Sequence, residues 1–201
     1  MSTLVVTAHP DPTSLTHHVA ARLGDRLGDG LAGEVTVAHL AQESFDPRFT
    51  AADRQAYLTG HDHPADVLAE QERLDAAEHV VLVFPVYWWS MPALLKGWVD
   101  RVFVAPWAFS LDETGRVVPA LQRLTAHLVP ISGTSADSFA RHGYTESFAT
   151  QVERGVLDYC GLRRGATAFV HESEDEGVAT RNAEAAVEAV VRAVAASTAR
   201  V

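Results

Sequence analysis

The sequence predicts an α/β fold of the doubly wound kind, a five-stranded parallel sheet with helices on both faces. Three observations carry this. Short apolar runs alternate five times with longer amphipathic stretches. One of those runs, Val80–Phe84, shows no polar alternation, as a strand buried on both faces requires. A composition of 47% hydrophobic and 21% charged residues over 201 positions supplies enough apolar surface for one core. Neither an internal repeat nor a low-complexity linker interrupts the chain, so a single domain spanning 1–201 is expected.

The elements follow in order. "TLVVTAH" (Thr3–His9) is the first strand; behind it Leu15, Val19, Leu23 and Leu27 recur at helical spacing, with Ser14 as candidate cap. "EVTVAHL" (Glu34–Leu40) is the second strand. The polar region 41–65 is irregular, with room for a short helix in "FDPRFTAADRQAYL", and "ADVLAEQERLDAAEH" is a full helix. The Val80 run is the third strand, and "PALLKGWVDRVF" (Pro92–Phe103) a helix opened by a proline whose missing N–H does no harm there. Glu113–Gly115 forms a turn between two extended pieces. "RLTAHLVPIS" (Arg123–Ser132) is the fourth strand, a helix runs from Thr145 to Tyr159 and stops at Gly161, "GATAFVHE" (Gly165–Glu172) is the fifth strand, and "EDEGVATRNAEAAVEAVVRAVAAS" the closing helix.

Composition excludes several functions. A net charge of −10, with Lys96 the one lysine, argues against nucleic acid, which needs clustered cations. No apolar run approaches the roughly 20 residues that cross a bilayer, and "MSTLVVTAHP" lacks the pattern of a secretion signal; no membrane insertion and a cytoplasmic location are expected. A lone Cys160 agrees with a reducing compartment and reads as a small buried hydrophobe. The histidines, including His17-His18 and "HDH" (His61–His63), lack the spacing of a recognised zinc motif, so no metal is expected.

In a doubly wound sheet ligands bind beyond the carboxyl ends of the strands, where the strand order reverses. Three loops leave that edge with unusual content. "AHPDPTSLT" brings Thr13, Ser14 and Thr16 to a helix start, where free N–H groups and the helix dipole favour a phosphate; the same residues would serve equally as ordinary caps. "PVYWWSMP" supplies flat aromatic surface, alternatively explained by packing in the core or between subunits, and "ISGTSADSF" supplies Gly133, where backbone can approach a ligand. Neither a glycine-rich dinucleotide fingerprint nor a Walker loop is present. A phosphate site, a flat wall and a close-approach loop suit a ligand with a phosphate tail and a planar heteroaromatic head, as in a flavin.

"AHPDPTS", "FPVYWWSMPALLKGWVDRVF" and "YCGL" resemble the flavodoxin-like NAD(P)H dehydrogenase (quinone) family, over residues 3 to about 172. That family includes the NAD(P)H:quinone oxidoreductases, the drug-activity modulators and the ancillary oxidoreductases of potassium efflux. The resemblance implies that His9 and Thr13, Ser14, Leu15 and Thr16 hold the phosphate and ribityl parts of FAD or FMN. It implies that Pro85, Val86, Tyr87, Trp88 and Trp89 line the ring, and that Ile131, Ser132, Gly133 and Thr134 close on its pyrimidine side. His142 stands at the family's spacing from Cys160 for an active-site histidine; the tyrosine expected six positions earlier is Ala136, with Tyr144 as a substitute. The family's Thr-Gly-Gly loop reads Ser132-Gly133-Thr134 here.

The activity so implied is a ping-pong, two-electron transfer from NAD(P)H through the flavin to a quinone or similar planar acceptor. Trp88, Trp89, Trp107, Phe109 and Tyr144 are the candidate pocket walls, and the Gly133–Thr134 amides or His142 the candidate donors near the ring. A homodimer joined through Pro92–Phe103 is implied as well. The alternatives are an azo- or nitro-compound reductase, a flavin-binding regulatory subunit that docks on a transporter, and a single-electron carrier.

Overall fold

The structure is a computed structural model that describes residues 2–28 and 33–198. Strand β1 (Ser2–Thr7) leads into helix α1 (Leu15–Gly28), followed by β2 (Glu34–His39), α2 (Ala51–Thr59), α3 (Ala65–Asp75), β3 (His79–Pro85) and α4 (Ala93–Val102). A hairpin of β4 (Phe109–Leu111) and β5 (Val117–Pro119) precedes β6 (Thr125–Ile131). Helices α5 (Ala136–Arg141) and α6 (Tyr144–Phe148) come next, and α6 continues as a π-helix over Ala149–Asp158; β7 (Arg163–Thr167) and α7 (Glu176–Thr198) complete the fold.

Five parallel strands lie in the order β2-β1-β3-β6-β7. The chain leaves β1 in one direction to make β2 and returns across it to make β3, so the order reverses between β1 and β3, which is where a ligand crevice forms. All seven residues of β3 are buried because a helical layer covers each face. Leu4, Val6, Leu82, Phe84 and Leu128 pack on one side with Leu95 and Trp98 of α4 and Val152 of the π-helix. Val5, Val81, Val83 and Val129 pack on the other with Val19 and Leu23 of α1 and Val187 and Val190 of α7. Successive strand residues point to opposite faces, so an unbroken apolar run feeds both cores.

The short helix allowed for within 41–65 is α2, held by a reciprocal cap in which Thr50 Oγ1 accepts from Asp53 N–H and the Asp53 carboxylate accepts from Thr50 N–H. Three elements differ from the sequence reading. Helix α5 occupies a stretch read as loop, because six residues capped by Ser135 are too few to show a period. The stretch read as one helix over Thr145–Tyr159 starts at Tyr144 and is π-helical from Ala149. The last strand ends at Thr167 rather than Glu172. Ala166 N–H donates to His127 Nδ1 at 3.0 Å rather than to a β6 carbonyl, and the ladder slips between Ala126 and Leu128; beyond Thr167 the chain stays beside β6 through the Ala168 and Val170 N–H groups, which donate to the Leu128 and Pro130 carbonyls at 2.9 Å, and an isolated Val170–Ile131 bridge.

Candidate active site

The three loops leave the carboxyl edge on either side of the β1/β3 reversal. A cavity of about 280 Å³ there is lined by His9, Ser14, Leu15 and Thr16 from the first loop, Pro85, Val86 and Tyr87 from the second, Ile131 and Gly133 from the third, and Ser173 and Glu174 from the segment before α7. Loops far apart in sequence thus converge on one crevice.

Its first wall is a helix start. Ser14 N–H bonds back to the Asp11 carbonyl at 3.2 Å, and Ser14 Oγ accepts from His17 N–H at 3.4 Å. The first N–H groups of a helix have no intrahelical partner, so those of Leu15 and Thr16, both on the cavity wall, remain for a ligand. Asp11 N–H donates to His9 Nδ1 at 3.1 Å. A neutral His9 therefore carries its proton on Nε2, as a further donor at the anion end. Below it, His17 Nε2 donates to the His9 carbonyl at 3.1 Å and its ring stacks on His39 at 4.6 Å. Burial, with the His17 charge added, lowers the His39 pKa.

Thr13 lies apart from this group. Its amide and hydroxyl both donate to Asp11 Oδ1, at 2.8 and 2.7 Å, and hold the Asp11 carboxyl below its usual range. The residue lines a neighbouring cavity of about 380 Å³ with His18 and Glu176.

The second wall ends in a tight turn. Tyr87 and Ser90 exchange two backbone hydrogen bonds of 3.1 Å, and the two residues between them, Trp88 and Trp89, have φ of +48° and +64°. Positive φ at both central positions is the I′ hairpin geometry, which asparagine and glycine favour and a bulky side chain resists. Val86 N–H is engaged by the Ile131 carbonyl at 2.7 Å, so the N–H groups of Trp88 and Trp89 are the ones in this segment without a hydrogen bond among the described residues. Trp88 is 92% exposed. Trp89 instead lies face to face with Tyr144, ring centroids 3.8 Å apart and planes 9° from parallel.

Ser132 Oγ accepts from Thr134 N–H at 3.0 Å, so that amide is not free for a ring edge, and the Thr134 carbonyl faces His171 Nδ1 at 2.9 Å. Asn182 holds the His171 carbonyl at 2.9 Å. A Cβ at Gly133 would lie 3.0 Å from Oε1 of Glu174, an exposed side chain that borders the same cavity and can swing away.

His142 lies at the C-terminal cap of α5, exposed, with its ring 5.5 Å from Tyr144 and outside the cavity lining. Trp107 and Phe109 are at the opposite edge of the sheet. Trp107 Nε1 donates to Asp75 at the end of α3, and Phe109 packs edge-on against Tyr159 on a larger cavity of about 540 Å³ that runs along α4 and the π-helix. Sequence reasoning did not find Ser173, Glu174, Phe139 or His171. They sit beyond the last strand or inside an unread helix, and their residue types carry no local signal.

The donor set fits a flavin phosphate and ribityl chain at Ser14–Thr16 and His9, and a planar ring against Pro85–Tyr87 and Ile131–Gly133. A family model described as flavodoxin-like fold matches residues 1–194. The human ribosyldihydronicotinamide dehydrogenase [quinone] is 30% identical over 183 residues, covering 80% of this chain and 77% of the relative. The NAD(P)H:quinone oxidoreductase of Methanothermobacter marburgensis superimposes with a TM-score of 0.85 at 22% identity, over 95% of this chain and 98% of that one. General stress protein 14 of Treponema denticola, solved in complex with FMN, has a TM-score of 0.65 at 22% identity, over 96% and 99%. The chain belongs to the flavodoxin-like family of NAD(P)H dehydrogenases (quinone).

Proposed function

We propose that the protein binds a flavin in the cavity at the β1/β3 reversal and transfers two electrons from NAD(P)H to a quinone-like planar acceptor. The single observation that carries this is the convergence on one cavity of a free helix start, a flat wall from Pro85 to Tyr87 and the close-approach residue Gly133. When bound, the flavin supplies the hydride-accepting and hydride-donating chemistry. The residues position it. Leu15 and Thr16 N–H with His9 Nε2–H would take the phosphate, and the N–H groups of Trp88 and Trp89, in the turn that follows the Tyr87 wall, would be available to the ring edge.

Reducing a quinone by two electrons consumes a hydride and a proton. An imidazole nitrogen of His142, beside Tyr144, is the proposed proton source for an acceptor lying along the aromatic turn. FMN suffices for the contacts named; FAD would extend toward the adjoining cavity, whose lining includes Glu174 and Glu176.

The assembly proposed is a homodimer. The cavity of about 540 Å³ is bordered by Phe49, Tyr57 and Tyr159, apolar rings about half exposed, together with Val99 of α4 and Phe103, which caps that helix. A twofold axis across α4 would bring the amino edge of one sheet toward the carboxyl edge of the other. Trp107 and Phe109 would then serve the partner's pocket rather than their own.

The test is the visible spectrum after reconstitution with FMN and separately with FAD, followed by anaerobic addition of NADPH. Retained flavin absorbance that bleaches on addition is the expected result. A chain that retains neither flavin overturns the reading.

A further inference from the structure

Trp89 comes from the turn after β3 and Tyr144 from the start of α6, yet their rings are stacked more closely than any other aromatic pair described: centroids 3.8 Å apart, planes 9° from parallel. The backbones that carry the two rings differ. Trp89 is fixed by its turn, closed by two backbone hydrogen bonds, and by Phe139 against its edge at 5.7 Å. The turn is further tied to the π-helix by Ser90 Oγ, which lies 3.2 Å from Gln151 Oε1. Tyr144 follows Gly143, a left-handed residue (φ +72°) at the break between α5 and α6, around which a Cβ would meet nothing. Phe139 meets the Tyr144 ring edge-on as well, at 5.8 Å, so what sets the two apart is the backbone: Trp89 sits inside a closed turn, whereas Tyr144 follows a glycine with open space around it.

The Trp89 ring adjoins the proposed ring site. Phe139, which abuts Trp89, also lies 5.0 Å from His171, and His171 holds the Thr134 carbonyl. The rings packed around the pair, Phe139 with Phe169 and Phe148 behind it, give an apolar surround that suits an uncharged aromatic ligand.

We infer that Tyr144 is a displaceable cover on the acceptor site, and that a flat aromatic acceptor takes the place of its ring on the face of Trp89. This rests on the reading that this edge handles a planar acceptor, and it adds the residue that selects for planarity. A ligand displacing Tyr144 exchanges one stacked contact for another, so only a ring lying as flat as tyrosine recovers what it removes. A bulky three-dimensional acceptor does not. Removing the tyrosine ring deletes the competitor. Aromatic pairing energies of about 0.5–1.5 kcal/mol correspond to a two- to tenfold gain in acceptor affinity.

The experiment titrates 1,4-naphthoquinone into the FMN-reconstituted protein without NADPH, following near-ultraviolet circular dichroism in the wild type, Tyr144→Leu and Tyr144→Phe. The stacked-pair signal should vanish at saturating quinone in the wild type and be absent from Tyr144→Leu. The Kd should fall two- to tenfold in Tyr144→Leu and stay unchanged in Tyr144→Phe, which keeps the ring. An unchanged or weaker affinity in Tyr144→Leu overturns the cover, as does a pair signal that survives saturation. Bleaching of the flavin by NADPH is read separately. Bleaching with no affinity change removes the cover and leaves the activity standing; an affinity gain without bleaching does the reverse.

Discussion

His127 Nε2 lies 3.0 Å from His79 Nδ1 inside the sheet, and the bonds around this pair fix every proton on both rings. Ala166 N–H donates to His127 Nδ1 at 3.0 Å, so that nitrogen is an acceptor and the proton sits on Nε2, donated to His79. His79 must then carry its own proton on Nε2, which faces Ser197 Oγ at 3.0 Å, and the serine hydroxyl passes on to the Val194 carbonyl at 2.6 Å. Neither ring accommodates a second proton without breaking a bond. Burial, with the His79 charge added, lowers the His127 pKa from 6.5 to about 4, and burial lowers that of His79 as well. The unfolded chain therefore binds protons between about pH 6.5 and 4 that the native chain does not. Stability is full above 6.5 and is lost as pH falls, at about 1.4 kcal/mol per pH unit and on the order of 3 kcal/mol over the window for His127 alone. Urea denaturation across that range should show the slope, and His127→Leu should flatten it while lowering stability at pH 7. A wild-type slope near zero contradicts the assignment.

Arg101 of α4 is the clamp for the irregular segment after β2. Its Nε donates to Asp53 Oδ1 at 2.8 Å, its terminal nitrogens to Asp66 at 2.5 and 3.1 Å and to the Asp46 carbonyl at 2.7 Å, and its guanidinium lies 5.2 Å from the Phe45 ring. Arg101 and Asp53 are almost wholly buried, whereas the Asp66 side chain is 46% exposed. Removing the cation strands a buried carboxylate, so Arg101→Met should cost about 3–5 kcal/mol. Asp66→Asn should cost under 1 kcal/mol, as exposed pairs do. Placing Arg101→Met and Asp53→Asn together should recover part of the loss, because the orphaned charge is gone. Denaturant midpoints of the four proteins decide this, and equal losses for Arg101→Met and Asp66→Asn would refute the clamp.

The sheet was legible because its signal is local. Val80–Phe84 and "TLVVTAH" announce strands buried on two faces, and strand–helix alternation then implies the β1/β3 reversal and the loops that flank it. Most of the cavity lining follows from that edge rule. Distances between separate loops do not: nothing near Trp89 in sequence announces a stack on Tyr144, and the Thr134 amide looks free until Ser132 Oγ is seen to take it. Residue type groups Trp107 and Phe109 with the pocket, but Phe109 opens a hairpin and Trp107 lies in the turn before it, beyond the far end of α4, and sequence gives no direction for a hairpin.

Cys160 should be inert in the folded protein. It is buried beneath the larger cavity, and burial pushes its thiol up to about 11. Since the thiolate is the reactive form, labelling by a disulfide reagent at pH 8 should be slower than that of a free thiol by a factor of hundreds or more and should recover in denaturant. Rapid labelling under native conditions would place the thiol in a different environment.

Trp88 combines a left-handed backbone with a side chain that touches little of its own chain, being 92% exposed at φ +48°. A non-glycine residue held there is less stable by about 1 kcal/mol or more, and so exposed a side chain contributes little packing to offset it. Trp88→Gly should therefore raise the stability of the isolated fold by about 1 kcal/mol, a rise of several degrees in Tm for a chain of this size. A strained, exposed tryptophan beside the proposed flavin cavity points to a contact outside its own fold. The same substitution should thus weaken flavin retention or dimer formation, read by spectrum and by light scattering at micromolar concentration. Gain in Tm with loss of either function identifies the strain as serving the site, whereas a Tm that falls would mean that the tryptophan is held by contacts within its own chain.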